Sequence, residues 1–416
     1  MSAADGSAEA APRTGAAAQE AFRAARRALR RERAAIDTLS ICDWLPPEFG
    51  AVGQYSLLFA RQMAAEGQRV VLIGLTAAAP SIEHERFETS GGALTIHRIA
   101  APRYDKGSLS RRLWWTAKTN TRLLRAAWPL LPRAGRVLFT GSPPLFLHWM
   151  GPSKLWHGKR LVYRITDFHP ECAIAERGGA PSLPQRALLA LTWFWRRRVD
   201  EFEALGLDQA ERLRAGGVPA AQITFKPDPA PVAVCAKVPP LARPAGSDGA
   251  ALLLYSGNWG VAHDVDTFIE GYRRHHAAGG GVTLWLNAVG SGAEQVADAL
   301  SAFSLPLIRS APAPLDQLSA LLVTPDAHLV TLKDEFVGYV MPSKIHGCAA
   351  SGKPTLFIGS DASDANRIGR SGLGPRFARA PVGAPEAVAE WLDDLALSAA
   401  AARRSEAPSP HERLAG

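Results

Sequence analysis

Apolar positions along this chain keep switching between two periods. "IDTLSICDW" (36–44) is a short apolar run that stops at Pro46-Pro47, which reads as a strand and its turn. After a glycine-bearing loop, Tyr55, Leu58, Phe59 and Met63 recur at helical spacing, and "QRVVLIGL" (68–75) returns to a strand. Strand, loop, helix and strand form the building block of a parallel sheet with helices on its faces. Further strands are expected at "RVLFTG" (136–141), "RLVYRITD" (160–167), "VDEFEALG" (199–206) and "ITFKPD" (223–228). A proline-rich passage (226–249) interrupts the pattern, and then it restarts. "ALLLYSG" (251–257) predicts a strand, "NWGVAHD" (258–264) a loop, and "VDTFIEGYRRHH" (265–276) a helix. "VTLWLNAVGSG" (282–292), "AHLVTL" (327–332) and "PTLFIGS" (354–360) repeat strand and loop.

The expected fold class is α/β, with two doubly wound domains in tandem and ligand loops at the carboxyl ends of their strands, facing a cleft. The expected organisation is a flexible basic arm (1–35), a first domain (36–228), a linker (229–249), a second domain (250–395) and a tail (396–416).

Charge separates the two halves. Residues 1–200 carry 29 Lys and Arg against 16 Asp and Glu, whereas residues 201–416 carry 18 against 23. That asymmetry points to an anionic partner for the first half. Two stretches there, 109–133 and 184–200, mix Trp, Leu and Arg, and seven of the eleven tryptophans fall between Trp114 and Trp195. Such a mixture suits an anionic membrane surface, with Arg111, Arg112, Trp114 and Trp115 as the contacting residues; the other reading is core helices with arginines on their wet faces. No nucleic-acid motif appears, so nucleic acid is not an expected partner. No apolar run reaches a membrane span's length of roughly 18 residues, and no signal-type segment precedes the first strand. The expected location is therefore cytoplasmic, or peripheral on the inner face of the cell membrane. Cys42, Cys172, Cys235 and Cys348 are scattered, without a C-x-x-C pair, which argues against a disulfide framework or a zinc site.

Several chemistries lack their motifs. G-x-G-x-x-G after a strand, a Walker A loop, G-x-S-x-G and H-E-x-x-H are all missing, so no cofactor and no metal are expected. "DVD" (264–266) opens a helix, where Asp commonly caps or meets the dipole. What the chain offers instead is small-residue loops at strand ends: "EFGAVG" (48–53), "SGNWGVAHD" (256–264), "VGSG" (289–292) and "MPSK" (341–344). Glycine there lets backbone N–H groups approach an anion, although each loop alone also reads as a turn. In the last, Pro342 and Ser343 lead into a helix that Gly352 closes, with Lys344 at its mouth. Lys344 is either an ordinary surface lysine or the cation of an anion site.

Taken in order, four segments resemble the GT-B glycosyltransferases, most closely the bacterial family 4 enzymes of exopolysaccharide and O-antigen assembly. They are 43–67, "ITDFHPE" (165–171), 254–272 and 330–359, within a resemblance covering about residues 38 to 395. The resemblance implies two Rossmann-like domains, a nucleotide-sugar donor held mainly by the second, and no bound metal. It implies a glycosyltransferase that passes the sugar to a lipid-linked or polysaccharide acceptor with retention. Donor-binding residues so implied are Gly53, Gly257, Asn258, Trp259, His263, Gly290, Glu335, Ser343 and Lys344. Asp167 and His169 are the implied catalytic pair. Two features depart from the pattern. The glutamates that many members carry would fall at Tyr339 and Gly347, and their diphosphate-binding Arg and Lys are replaced near Asn258 and His263. A nucleotide-sugar epimerase on the same fold and an inactive partner-binding subunit are the alternatives.

Overall fold

The computed structural model describes residues 36–48, 50–102, 109–228, 234 and 238–406. The expected basic arm, Cys235 and part of the proline-rich passage lie outside the described residues. The chain divides into two compact units, residues 1–139 with 152–162, and residues 140–151 with 163–416.

In the first unit, β1 (Ile36–Trp44), β2 (Arg69–Thr76), β3 (Ser81–Phe87), β4 (Gly92–Ala100) and β5 (Ala134–Thr140) lie in the order β3-β4-β2-β1-β5. All pairs are parallel except the β3–β4 hairpin, which the apolar pattern did not predict because β3 is largely exposed and charged. Helix α1 (Ala51–Ala65) buries Tyr55, Leu57, Ala60 and Met63, so the buried face runs through Leu57, with Leu58 and Phe59 at its edge. Gly53 sits where α1 crosses β1, and a Cβ there would stand 1.7 Å from the Trp44 carbonyl oxygen. Helix–strand packing within the first unit thus accounts for Gly53, which the sequence had assigned to donor binding. Helix α2 (Leu109–Ala127) completes this unit; α3 (Leu147–His157) and β6 (Arg160–Ile165) run across the division.

In the second unit, β6 is followed by α4 (Glu171–Arg177), α5 (Leu183–Arg196), β7 (Glu201–Ala204), α6 (Leu207–Ala215) and β8 (Ile223–Phe225). A second, wholly parallel sheet then takes the order β11-β10-β9-β12-β13-β14. Its strands are β9 (Ala251–Asn258), β10 (Val282–Val289), β11 (Leu307–Arg309), β12 (Ala327–Thr331), β13 (Thr355–Ile358) and β14 (Phe377–Ala380). The helices between and after them are α7 (Asp266–Ala277), α8 (Ser291–Ala302), α9 (Leu315–Val323), α10 (Lys344–Ser351), α11 (Asp364–Leu373) and α12 (Pro385–Glu406). Leu253, Tyr255, Phe268, Leu284 and Leu329 are fully or almost fully buried in one core that joins β9, β10 and β12 to the helices over them. Near-continuous apolar runs are what a sheet covered on both faces requires. The edge strands β11 and β14 are only 3 and 4 residues long, too short to write a readable period, and the sequence pattern missed them.

Two helix starts in this unit are locked together by carboxylates. Asp208 opens α6 and Asp364 opens α11; the Asp208 N–H donates to Asp364 Oδ2 at 3.0 Å, and the Asp364 N–H donates to Asp208 Oδ2 at 3.2 Å. Each carboxylate thus meets the positive end of the other helix. Both are buried, and Gly206 allows the approach, since a Cβ there would lie 2.1 Å from Asp364 Oδ2. Arg367 pairs with Asp364, so the shared proton rests on Asp208, which burial and the facing carboxylate raise to about 7. Because α11 packs on α10, this lock also sets the helix that carries Lys344.

A carboxyl raised in the folded state binds more protons than the unfolded chain between about pH 4 and pH 7, so folding stability falls as pH rises through that window. Asp208→Asn keeps an acceptor and adds a donor toward Asp364. The expected outcome is a higher Tm than wild type at about pH 8 and a flatter pH dependence. Thermal melts of both proteins across this range check it; a variant that melts earlier at every pH contradicts the assignment.

Candidate functional site

The second unit's parallel sheet begins in its middle. From β9 the chain moves outward through β10 and β11, then returns to build β12, β13 and β14 on the other side. Adjacent strands whose connections leave in opposite directions open a crevice at their carboxyl ends. Here those strands are β9 and β12, paired only at Ala327–Leu253 and His328–Leu254, so they part before their ends. The loop after β9 fills the gap. The Lys333 N–H donates to the Ala262 carbonyl at 2.9 Å, and His263 Nδ1 bonds the Thr331 carbonyl at the end of β12.

That last bond fixes the imidazole. A carbonyl only accepts, so Nδ1 carries the proton and Nε2 presents a lone pair. His263 is buried, and desolvation together with the nearby Lys344 charge lowers its pKa to about 3, so it stays neutral. Lys344 Nζ stands 3.3 Å from Nε2 and 3.4 Å from the Asn258 carbonyl, and 4.9 Å above the Tyr255 ring. Two acceptors and an aromatic face therefore hold one ammonium at the start of α10. Half-buried and desolvated, Lys344 has its pKa lowered to about 7.

Glycines bring the neighbouring loops close. Gly257 (φ 103°) and Gly290 (φ 110°) both occupy the left-handed region that favours glycine. A Cβ on Gly290 would meet Asn258 Oδ1 at 2.4 Å, so this residue joins the loops after β9 and β10 without a side chain. Trp259 is the peg between them. It is fully buried, stacks on Tyr255 at 3.6 Å between centroids, and donates Nε1–H to the Asp264 carbonyl. Its backbone accepts from Gly292 and donates to Val289. The Trp259 ring, expected to bind the donor, is a structural floor instead.

Beside His263 lies a cavity of about 180 Å³, lined among others by Ser291 and Gly292 at the start of α8, Gln295, Lys333 and Glu335. Glu335 thus sits in a lined cavity with a lysine and a helix N-terminus, where an anion and hydroxyl groups can both be met. Ser343 occupies the cap position of α10 and makes no capping bond with its side chain. The Ile345 and His346 N–H groups are already taken by the Pro342 and Ser343 carbonyls at 3.1 and 3.2 Å. The helix mouth therefore offers fewer free donors than the sequence suggested, and Lys344 supplies most of the positive charge.

Asp167 and His169 follow β6. Asp167 makes an isolated antiparallel bridge with Val340, and the Phe168 N–H donates to the Tyr339 carbonyl at 3.0 Å. This turn is pinned to the segment that leads into Ser343 and Lys344. Arg196, fully buried, holds it in place by pairing with Glu171 and donating from Nη2 to the His169 carbonyl at 3.1 Å. Glu171 is thus an ion-pair partner as well as a first-turn acid. Burial lowers the His169 pKa to about 4, which makes the ring neutral and better suited to bind a hydroxyl than to take its proton.

The two positions where the resemblance failed have packing explanations. Tyr339 packs at a tilt against Phe168, at 5.9 Å between centroids, with the Arg212 guanidinium over its ring at 4.4 Å. Gly347 is buried, and even a Cβ there would meet Leu322 at 3.0 Å, so α9 occupies the place of a glutamate side chain. Thr331, Lys333 and Gln295 were not singled out from the sequence as site residues, whereas Ser291 and Gly292 fall in the expected loop 289–292. Lys333 was within reach, since it lies just past the carboxyl end of β12, where ligands of such sheets bind.

On the first unit's surface, Trp114 is 62% exposed and Arg111 is exposed, whereas Arg112 is half-buried. Trp115 is core: it is 5% exposed, its Nε1–H donates to the Pro102 carbonyl at 2.8 Å, and it stacks with Trp44. The period of α2 explains the correction, because adjacent residues on a helix point about 100° apart.

No protein-family model matches the chain, and no curated protein matches its sequence. Solved structures do match. The trehalose 6-phosphate synthase from Burkholderia multivorans aligns with a TM-score of 0.59 and 13% identity, over 87% of this chain and 88% of that one. The E. coli trehalose-6-phosphate structure bound with UDP-2-fluoro glucose aligns at 0.56 and 12%, over 87% and 91%. The lipopolysaccharide outer core galactosyltransferase WaaB aligns at 0.53 and 13%, over 87% and 91%. The fold is the GT-B fold of these glycosyltransferases.

An anion raises the pKa of the lysine it binds, so above about pH 7 binding at Lys344 must take up a proton. If Lys344 binds a phosphate-bearing ligand such as a nucleoside diphosphate, that affinity is expected to fall, by up to about tenfold per pH unit, between about pH 7 and pH 9. Calorimetry in two buffers of different ionisation enthalpy reads that proton uptake directly. Lys344→Arg, always charged, should abolish it; uptake unchanged in this variant contradicts the assignment.

Proposed function

We propose that this chain is a glycosyltransferase that moves a sugar from a nucleoside diphosphate-sugar to a lipid-linked or polysaccharide acceptor, with retention, in the assembly of an exopolysaccharide or another cell-surface glycan. The observation that carries the reading is the Lys344 ammonium, held by the His263 lone pair and the Asn258 carbonyl at the switch point of a GT-B sheet. Departure of a nucleoside diphosphate builds negative charge on its phosphates, and a preorganised cation beside that charge lowers the barrier without reorganising. Lys344 and Ser343 are the diphosphate ligands. Gly257 and Gly290 let the backbone approach, and Glu335 takes donor hydroxyls. His263 acts through Lys344: its Nε2 lone pair is committed, and it has no proton there to offer a phosphate.

Asp167 and His169 face the transferred sugar, and the leaving phosphate removes the acceptor proton, so no protein base of ordinary pKa is required. The reaction needs no metal, because Lys344 supplies the countercharge. It takes place in the cytoplasm, at the inner face of the cell membrane.

Lys344→Ala is expected to weaken nucleoside diphosphate binding by about 2–4 kcal/mol, the range for a charge-assisted contact to phosphate. Titration of wild type and variant with UDP, GDP and ADP checks it, and unchanged affinity for each nucleotide that the wild type binds refutes it. A donor-hydrolysis screen over UDP-, GDP- and ADP-sugars separates the rival readings. An epimerase releases sugar and nucleotide without acceptor, and an inactive subunit releases neither.

Asp167→Asn should lower turnover while leaving nucleotide affinity nearly intact, since it removes an interaction with the sugar and not with the diphosphate. Steady-state kinetics on the donor found by that screen tests this. Wild-type turnover in the variant removes Asp167 from the reaction.

A further inference from the structure

Helix α2 carries Arg111, Arg112, Lys118, Arg122 and Arg125 and no acidic residue. Its inner side is conventional: Trp115, Thr116, Thr119, Asn120, Leu123 and Ala127 are buried. The outer side has an uncommon composition. Trp114, Ala117, Lys118, Thr121 and Arg125 recur at steps of three and four, so they share one face. Trp128 extends the row, because its N–H donates to the Leu124 carbonyl at 2.8 Å and continues the helical turn. One tryptophan therefore stands at each end of this face, with cations and small residues between them.

Both indoles reach the surface. Trp114 is 62% exposed and Trp128 41%, and Leu113 beside Trp114 is 53% exposed. Lys118 Nζ lies 4.4 Å from the centre of the Trp114 ring, so the aromatic and the cation act as one patch. A shallow hollow of about 410 Å³ runs along the same face, lined by Trp114, Ala117, Lys118, Thr121, Arg122 and Arg125. Near the far end, Trp128 packs edge-on against His157, and its neighbour Trp156 is 77% exposed. Large apolar side chains exposed together mark an interaction surface, whereas single ones do not.

We propose that this face of α2 docks on a bilayer bearing anionic headgroups, with Trp114 and Trp128 seated at headgroup depth and Lys118, Arg122 and Arg125 against the lipid phosphates. Charge complementarity selects this occupant: Lys118, Arg122 and Arg125 line the hollow, and the helix itself carries no acidic residue, so this face suits a negative surface. The indoles point the same way, since each couples an apolar ring to a polar N–H and favours the water–lipid boundary. Among the described residues, no helix is long and apolar enough to cross a membrane, so the contact is one of surface. The patch belongs to the first unit alone and does not depend on sugar transfer.

The test is co-sedimentation of the full chain with phosphatidylcholine vesicles and with vesicles of equal parts phosphatidylcholine and phosphatidylglycerol. The wild type is expected to pellet with the second kind only, less so as salt is raised. Lys118→Glu/Arg125→Glu should lower the partition coefficient about tenfold or more. Trp114→Ala should lower binding by a fraction that persists at high salt. These side chains are exposed or half-buried on the wet side of α2, so wild-type melting curves are expected for both variants and confirm that the comparison is fair. A wild type that stays in the supernatant with anionic vesicles at low salt overturns the proposal. So do variants that bind like the wild type, an outcome that would place the contact elsewhere in the basic half. Binding to an acidic protein or to a second copy, without vesicle binding, overturns it as well.

Discussion

The separation of β9 from β12 is the constraint on which the rest of the candidate site depends. Two parallel neighbours that pair at only two positions leave backbone groups open at their carboxyl ends, and buried backbone groups must find partners. The chain meets that demand with the loop after β9: Ala262 receives the Lys333 N–H, and the Thr331 carbonyl takes His263. A purely structural requirement thereby fixes a tautomer. Once Nδ1 is committed to a carbonyl, Nε2 can only accept, and the nearest donor is Lys344 at the mouth of α10. Sheet topology, loop closure and the placement of one cation are thus successive consequences of a single gap.

The same unit handles its other buried charges by pairing, and each pair also serves geometry. Arg196 neutralises Glu171 and, through the His169 carbonyl, pins the turn that presents Asp167 and His169. Arg164 of β6 meets both Glu203 of β7 and Asp228, at 2.9 and 2.6 Å. Such pairs add little net stability over an apolar replacement, but losing one partner leaves a buried charge at a cost of about 3–5 kcal/mol. Asp208 and Asp364 are the exception, since like charges face one another; a proton and two helix dipoles make that contact tolerable. Lys344 differs from all of these, because its partners are neutral. Among these buried and half-buried charges, it is the one held by dipoles and a lone pair instead of a countercharge.

The strands flanking the candidate site were legible from sequence, because a sheet covered on both faces writes itself as apolar runs with glycines at the ends. "ALLLYSG" and "VTLWLNAVGSG" gave β9 and β10 almost to the residue. The hairpin strand β3 was not legible, since its exposed alternation of Glu, His and Arg looks like a loop. The placement of single residues was legible only where charge type and helix-start signals decided it. Lys344 at a helix start could be read directly, but the identity of its holders could not, because Thr331 contributes a carbonyl and any residue has one. Trp115 and Trp259 were misread for a related reason. Tryptophan suits a core, a membrane boundary or a ligand, and only the direction of the side chain distinguishes them.

The residue at 347 ties these points together. A glutamate there would sit within α10, one turn from Lys344, and its carboxylate would raise the lysine's pKa and compete with any phosphate for it. Glycine instead lets α9 approach, with Leu322 against the vacant Cβ direction. Removing that carboxylate from a half-buried site leaves desolvation as the largest influence on Lys344, in keeping with its lowered pKa of about 7. A lysine in that state stays near the balance between neutral and charged until an anion arrives and tips it. With glycine at 347, α10 carries no carboxylate to offset the desolvation of Lys344, so an anion beside it would be what completes its charge.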